Sequence, residues 1–326
     1  MIKKSVMAAF TLATALMLSY SAGASDKLIP TWDGNEEELF QTRIVIEGLK
    51  QLGYQIDDIQ QTQVPLAHVA VGNGDATFFA ADWNPLQDAY MKQAGGAAKL
   101  VRVGTLTRNC LQGYLIDKKT ADTYGIKSID QLKDPKLAAL FDIDGDGKAD
   151  LYGCNPGWGC ERVIDHQLKA YGLSATVVQK QGDYFAIIAD AIQRIKEGKP
   201  TLYYTYTPLW LSSVLQPGHQ VTWLTVPFSS LPDDAKDNTN VPGLGNLGFP
   251  VNTQHVVANV AFLNANPKAK KFFEEVEVPV TDINAENMKI HNGEKTDADI
   301  GRHVEDWIKA NQTKWDKWIT DAKAAQ

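Results

Sequence analysis

Cys154-Asn155-Pro156-Gly157-Trp158-Gly159-Cys160 places two cysteines around a loop of five residues. Pro156, Gly157 and Gly159 bend its backbone, and one large aromatic, Trp158, is held at the tip. An apolar-periodic segment follows at once, from Glu161 through Val163, Ile164 and Leu168 to Tyr171, so the loop runs into a helix. The free N–H groups and the dipole of a helix N-terminus suit an anion. A rigid indole beside an anion site points to a small ligand with an apolar or cationic end and an anionic end.

Upstream, Lys3 and Lys4 form a basic start, Ser5 to Tyr20 is mostly apolar, and Ala22-Gly23-Ala24 is a small-residue cleavage site. Together residues 1–24 read as a secretory signal peptide. Cleavage after Ala24 leaves 30 basic against 39 acidic residues. That balance lacks the basic footprint of a nucleic-acid binder. In an exported chain the three cysteines favour a Cys154–Cys160 disulfide, with Cys110 left as a small buried hydrophobe. A redox or metal site is the weaker alternative, since redox pairs are usually C-x-x-C and the loop holds no histidine.

Along the chain, Asn35 caps a helix over Glu36 to Gln51, stopped by Gly53. Val64 to Val71 reads as a strand, then Ala76 to Ala81 as another, and Pro85 starts a helix through Met91. Leu100–Leu106 and Gly113–Asp117 are strand candidates. Short helices follow near Lys119–Tyr124, Ile129–Leu132 and Leu137–Phe141. An amphipathic helix spans Tyr184 to Lys196. Thr201–Thr207 and Val221–Val226 are strands, 229–248 is a polar loop, and His255–Phe262 is a strand. Three helices close the chain: Pro267–Val276, Thr281–His291 and one from Asp297 to about Ala324. Such alternation implies an α/β chain with largely parallel sheets, whose ligands sit beyond the carboxyl ends of strands. Trp83, Trp158 and Tyr206 all fall at strand ends or a helix entry.

Of the eight tryptophans, Trp223, Trp307, Trp315 and Trp318 sit in regular elements and read as packing residues. Trp83 and Trp158 stand in Pro/Gly turns, where an aromatic has no packing reason to be. Asp142, Asp144, Asp146 and Asp150, with Gly147 at the sixth position, match much of a calcium loop, but Gly153 replaces its final Glu. A structural calcium site and a plain Asx-rich turn both fit. No nucleophile elbow, His-Glu-x-x-His or phosphate loop occurs, and the six histidines are scattered.

Gly74-Asp-Ala-Thr-Phe before Trp83-Asn-Pro-Leu, Gln112-Gly-Tyr-Leu-Ile-Asp-Lys-Lys-Thr-Ala-Asp, Cys154-Asn-Pro-Gly-Trp-Gly-Cys-Glu and Tyr203-Tyr-Thr are motifs of a known family. Over essentially the whole mature chain, the sequence resembles the periplasmic glycine betaine/proline betaine-binding proteins of osmoprotectant ABC transporters. The resemblance implies a two-lobed periplasmic binding fold of type II, hinged and cofactor-free. It implies one lobe from 25–111 plus 254–326 and the other from 112–253, in a monomer that serves an inner-membrane permease. It further implies a three-aromatic cage of Trp83, Trp158 and Tyr206 for the quaternary ammonium, with the Gly159 and Cys160 amides holding the carboxylate. Tyr206 stands where a member of the family has tryptophan. Gln87 stands where that member has a carboxylate-holding histidine, which implies weaker pH dependence and a shifted preference among betaines. The alternatives are another ligand, such as choline or carnitine, or a secreted enzyme or calcium-dependent module.

Overall fold

The computed structural model describes residues 27–326, so the expected signal peptide lies outside the described residues. Twelve strands are present: β1 Pro30–Trp32, β2 Gln60–Gln61, β3 Phe78–Asn84, β4 Leu100–Cys110, β5 Gln112–Asp117, β6 Ala149–Tyr152, β7 Val177–Lys180, β8 Leu202–Tyr206, β9 Val221–Leu224, β10 Asn240–Val241, β11 Gly245–Asn246 and β12 Asn252–Asn259. They form two five-stranded sheets, ordered β2-β1-β3-β12-β4 and β7-β6-β8-β5-β9, plus the small β10-β11 hairpin.

Both sheets obey one rule. β1, β2 and β3 run parallel, β12 is antiparallel to β3 and β4, and so four strands point one way against one. In the second sheet β5 is the reversed strand, antiparallel to β8 and β9, while β6, β7 and β8 run parallel. The reversed strands are the two that follow the chain's passages between sheets, at Leu111 and over 247–251. The two passages touch, since Asn252 pairs with Cys110. Each sheet has its own apolar core, one containing Phe40, Phe272 and Trp315, the other Tyr114, Phe141 and Tyr203. Trp223 is partly buried against the second core, and Trp307, Trp315 and Trp318 serve the first, as packing residues should.

Helices Glu36–Gln51 and Tyr184–Lys196 have the expected limits, and the Asn35 side chain accepts from Glu37 N as the cap. The segment from Val64 is a helix, Val64–Asn73, and not a strand. Its buried residues are Val64, Ala67, His68, Val71 and Gly72, while Leu66 and Val69 are exposed. The apolar residues therefore follow the helical period, and Pro65 sits in the first turn, where its missing N–H costs nothing. The helix expected from Pro85 begins later, at Asp88. The strand expected to reach Phe262 stops at Asn259, whose side chain caps a helix over Val260–Ala265. The final helix is two, Asp297–Ala310 and Gln312–Ala324, broken at Asn311. Among the described residues no helix is long and apolar enough to cross a membrane.

Candidate functional site

The carboxyl ends of strands from both sheets meet at one cleft. Trp83, one residue before the end of β3, enters from the first sheet; Tyr206, the last residue of β8, enters from the second. Trp158 is the residue before the first turn of helix Gly159–Ala170. All three line the cleft. Tyr206 meets Trp83 edge-to-face at 5.6 Å between ring centroids and Trp158 at 5.8 Å. Tyr184 backs the second pair, 5.4 Å from Tyr206 and 5.6 Å from Trp158, while its hydroxyl donates to Thr205 Oγ1.

Trp158 is held by local covalent and polar constraints. Cys154 and Cys160 are joined in a disulfide. Closing so short a loop restricts the unfolded chain by about 2 kcal/mol in the chain-entropy model. Gly157 N donates to the Glu161 carboxylate, and Tyr90 Oη, from the other side of the cleft, donates to Gly157 O. Gly159 and Cys160 also line the cleft, at the start of a 12-residue helix. Their N–H groups belong to the first turn, which has no intrahelical acceptor. Gly159 is needed for space: a Cβ there would lie 2.6 Å from Leu86 Cγ and 3.0 Å from Leu86 O. Leu86 belongs to the turn after Trp83, so the two sides touch at this glycine.

The polar lining comes largely from the first sheet's helices and turns. Gln87 is buried, lines the cleft and leaves its Oε1 without a partner. Asn35 Nδ2 donates to Tyr206 Oη at 3.2 Å. Glu38 accepts from Trp83 Nε1 at 2.7 Å and from Gln254 Nε2 at 3.3 Å, fixing the indole plane. Burial first, then the nearby Asp33 charge, holds the Glu38 carboxyl well above its ordinary range. Burial likewise pushes Asp33 up to about 6 and Glu37 up to about 7. Glu37 accepts from Trp210 Nε1 at 3.0 Å, and Trp210 stacks on His291 at 3.8 Å.

All six residues expected in the ligand set, Trp83, Gln87, Trp158, Gly159, Cys160 and Tyr206, are thus brought to one cleft. Sequence reasoning missed Asp33, Asn35, Glu38, Leu86, Gln112 and Tyr204 there. Asn35 carried a signal as a helix cap, and Leu86, Gln112 and Tyr204 lay within the quoted family motifs, but none of these signals placed a residue in the cleft. His68 is a satisfied buried group, bonded through Nδ1 to Val64 O and through Nε2 to Asp82, which also pairs with Arg102. Cys110 is free and fully buried, and burial raises its thiol pKa.

The acidic loop lies elsewhere. Asp142, Asp144 and Asp146 bring carboxylate oxygens together, but Asp150 is not of that group. Lys180 Nζ reaches Asp144 at 2.6 Å and Asp150 at 2.7 Å. Asp142 accepts from Gly145 N and Gly147 N, Asp144 from Asp146 N, and Asp150 from Ile143 N. The oxygens a cation would use are largely engaged by the loop's own amides and one ammonium.

Two mixed sheets joined by two touching passages, with an aromatic, polar cleft between them, define a substrate-binding protein. The family model described as the substrate binding domain of ABC-type glycine betaine transport systems matches residues 27–310. The chain belongs to that family. It is 49% identical over 323 residues to the glycine betaine/proline betaine-binding periplasmic protein of Escherichia coli K12, spanning 97% of this chain and 98% of that one. It is also 49% identical over 323 residues to the glycine betaine-binding periplasmic protein OusX of Dickeya dadantii, spanning 97% of each. Among solved structures, a choline-binding ABC-transporter protein in complex with choline superposes with a TM-score of 0.71 at 17% identity, covering 91% of this chain and 96% of that one. Lactococcal OpuAC in its closed form with glycine betaine gives 0.66 at 18% identity, covering 90% and 100%. At those identities the structures speak for the fold alone.

Proposed function

We propose that this chain is the periplasmic solute-binding protein of an osmoprotectant ABC transporter, capturing glycine betaine or proline betaine between two lobes. The lobes are the two sheets with their helices, hinged where the chain passes between them at Leu111 and over 247–251. The single observation that carries this reading is the convergence of three aromatic rings and a free helix start on one small cleft.

A trimethylammonium group has no N–H to donate, so hydrogen bonds serve it poorly and aromatic faces serve it well. Each face contributes roughly 0.5–1 kcal/mol when exposed and about 2 kcal/mol when desolvated. The rings of Trp83, Trp158 and Tyr206 supply three faces. Because the rings already meet edge-to-face, the lobes must part to admit the ligand and close again around it. The betaine carboxylate is held by the amides of Gly159 and Cys160, with Gln87 as a neutral donor. The chain works as a monomer, without a cofactor, and does no chemistry; the closed shape is what an inner-membrane permease recognises. Lys180 serves the acidic loop as its counter-cation in place of calcium.

Isothermal titration with glycine betaine, proline betaine, choline and proline tests this reading. Glycine betaine should bind the wild type, and Trp158→Ala should weaken it by about tenfold or more. Choline lacks the carboxylate and leaves the helix-start amides unpaired, so it should bind more weakly. Unchanged affinity in Trp158→Ala would remove the cage from the account.

A further inference from the structure

The cleft holds one more donor, supplied by neither the Trp158 loop nor the turn after Trp83. Gln112 opens β5, one residue past the first passage between sheets, and its side chain is 1% exposed while lining the cleft. Its Oε1 accepts from Tyr204 Oη at 2.6 Å, and its Nε2 has no partner. The tyrosine fixes the amide's orientation. Burial raises the Tyr204 pKa, so the phenol stays protonated and needs an acceptor for its proton. The Gln112 carbonyl oxygen is the acceptor described for it, which leaves the NH2 group over. A buried donor without an acceptor costs free energy, and native proteins keep few of them.

The protein's own acceptors around the cleft do not serve this NH2. Glu38 Oε1 is taken by Trp83 and Gln254, and the orphaned Oε1 of Gln87 does not reach Gln112. We propose that Gln112 Nε2 is a ligand-contacting, specificity-determining donor that hydrogen-bonds a carboxylate oxygen of the bound zwitterion. This rests on the cleft being a zwitterion site and deepens it. A third donor group, fixed at the hinge end of β5, selects quaternary ammonium compounds that carry a carboxylate over those that do not.

The test is calorimetry with glycine betaine on the wild type, Gln112→Met, Tyr204→Phe and the double variant, with melting temperatures of the ligand-free proteins. Methionine keeps the length and removes the donor. The double variant removes both halves of the Gln112–Tyr204 bond, so no buried partner is left stranded. Gln112→Met and the double variant should both weaken binding by about tenfold or more, and Tyr204→Phe by much less. If the double variant binds like the wild type, Gln112 serves only to satisfy Tyr204 and the proposal is overturned. The side-chain amide resonance of Gln112 in 15N-labelled wild type gives a readout that needs no variant to fold. It should move downfield as glycine betaine is added, and an unmoved resonance at saturation overturns the proposal. A wild type that gives no binding heat contradicts the cleft assignment itself and takes this inference with it.

Discussion

Asn35 Nδ2 donates to Tyr206 Oη at 3.2 Å, joining two residues 171 positions apart on opposite sides of the cleft. The same Asn35 uses its Oδ1 to cap helix Glu36–Gln51 through Glu37 N. One side chain therefore starts a helix of the first lobe and holds an aromatic wall of the second. This gives a physical use for tyrosine at this wall, because an indole N–H in its place could not accept the hydrogen bond.

Tyr206→Phe keeps the ring and removes that bond. Glycine betaine should bind about fivefold more weakly, the worth of one ordinary hydrogen bond. Asn35→Asp keeps the cap and can accept from the Tyr206 hydroxyl, so it should stay near wild type. Equal losses in Tyr206→Phe and Asn35→Asp, measured by calorimetry, would count against the bond as the cause.

Gly159 sits where the two sides come closest. Gly159→Ala should weaken glycine betaine by about tenfold or more, because a Cβ 2.6 Å from Leu86 Cγ and 3.0 Å from Leu86 O blocks the closed arrangement. The ligand-free melting temperature should not fall, since alanine is the better helix former. Wild-type affinity in this variant would mean that Leu86 moves aside freely.

Glu37 makes stability depend on pH with a definite sign. Its carboxyl is raised from 4.5 to about 7 in the fold, chiefly by burial and despite the bond from Trp210. The folded state therefore holds the proton more tightly than the unfolded chain, and this group's contribution falls as pH rises from about 4.5 to about 7. Glu37→Gln keeps an acceptor for Trp210 and removes the titration. Melting curves from pH 5 to 8 should show the variant gaining on the wild type as pH rises; a constant gap would refute the assignment.

Lys180 sets the behaviour of the acidic loop. Its bonds to Asp144 and Asp150 raise its pKa, so it stays charged throughout the physiological range. Chelator and millimolar calcium should each leave the wild-type melting temperature within about 1 °C, as expected when no ligand is linked to folding. Lys180→Ala should melt lower and become calcium-responsive, because four aspartates then lack a counter-cation. A chelator-sensitive wild type would reinstate calcium.

The sequence by itself determined the features that are local in the chain. The disulfide loop, the helix start behind Trp158, the Asn35 cap and the strand-end positions of Trp83 and Tyr206 depend on residues a few positions apart. Spacing and turn chemistry therefore exposed them. Local reading failed at Val64–Asn73, where a β-rich run hides a buried i, i+3, i+4 stripe whose neighbours come from other elements. The tertiary structure alone decided the rest of the cleft. Trp83 with Glu38, Tyr206 with Asn35, Trp210 with Glu37 and Tyr204 with Gln112 are pairs 45 to 173 residues apart. A hydrogen bond requires its partners to be within about 3 Å. At those separations only the order of strands in two sheets, and the reversal of β5 and β12 after each passage, brings them that close.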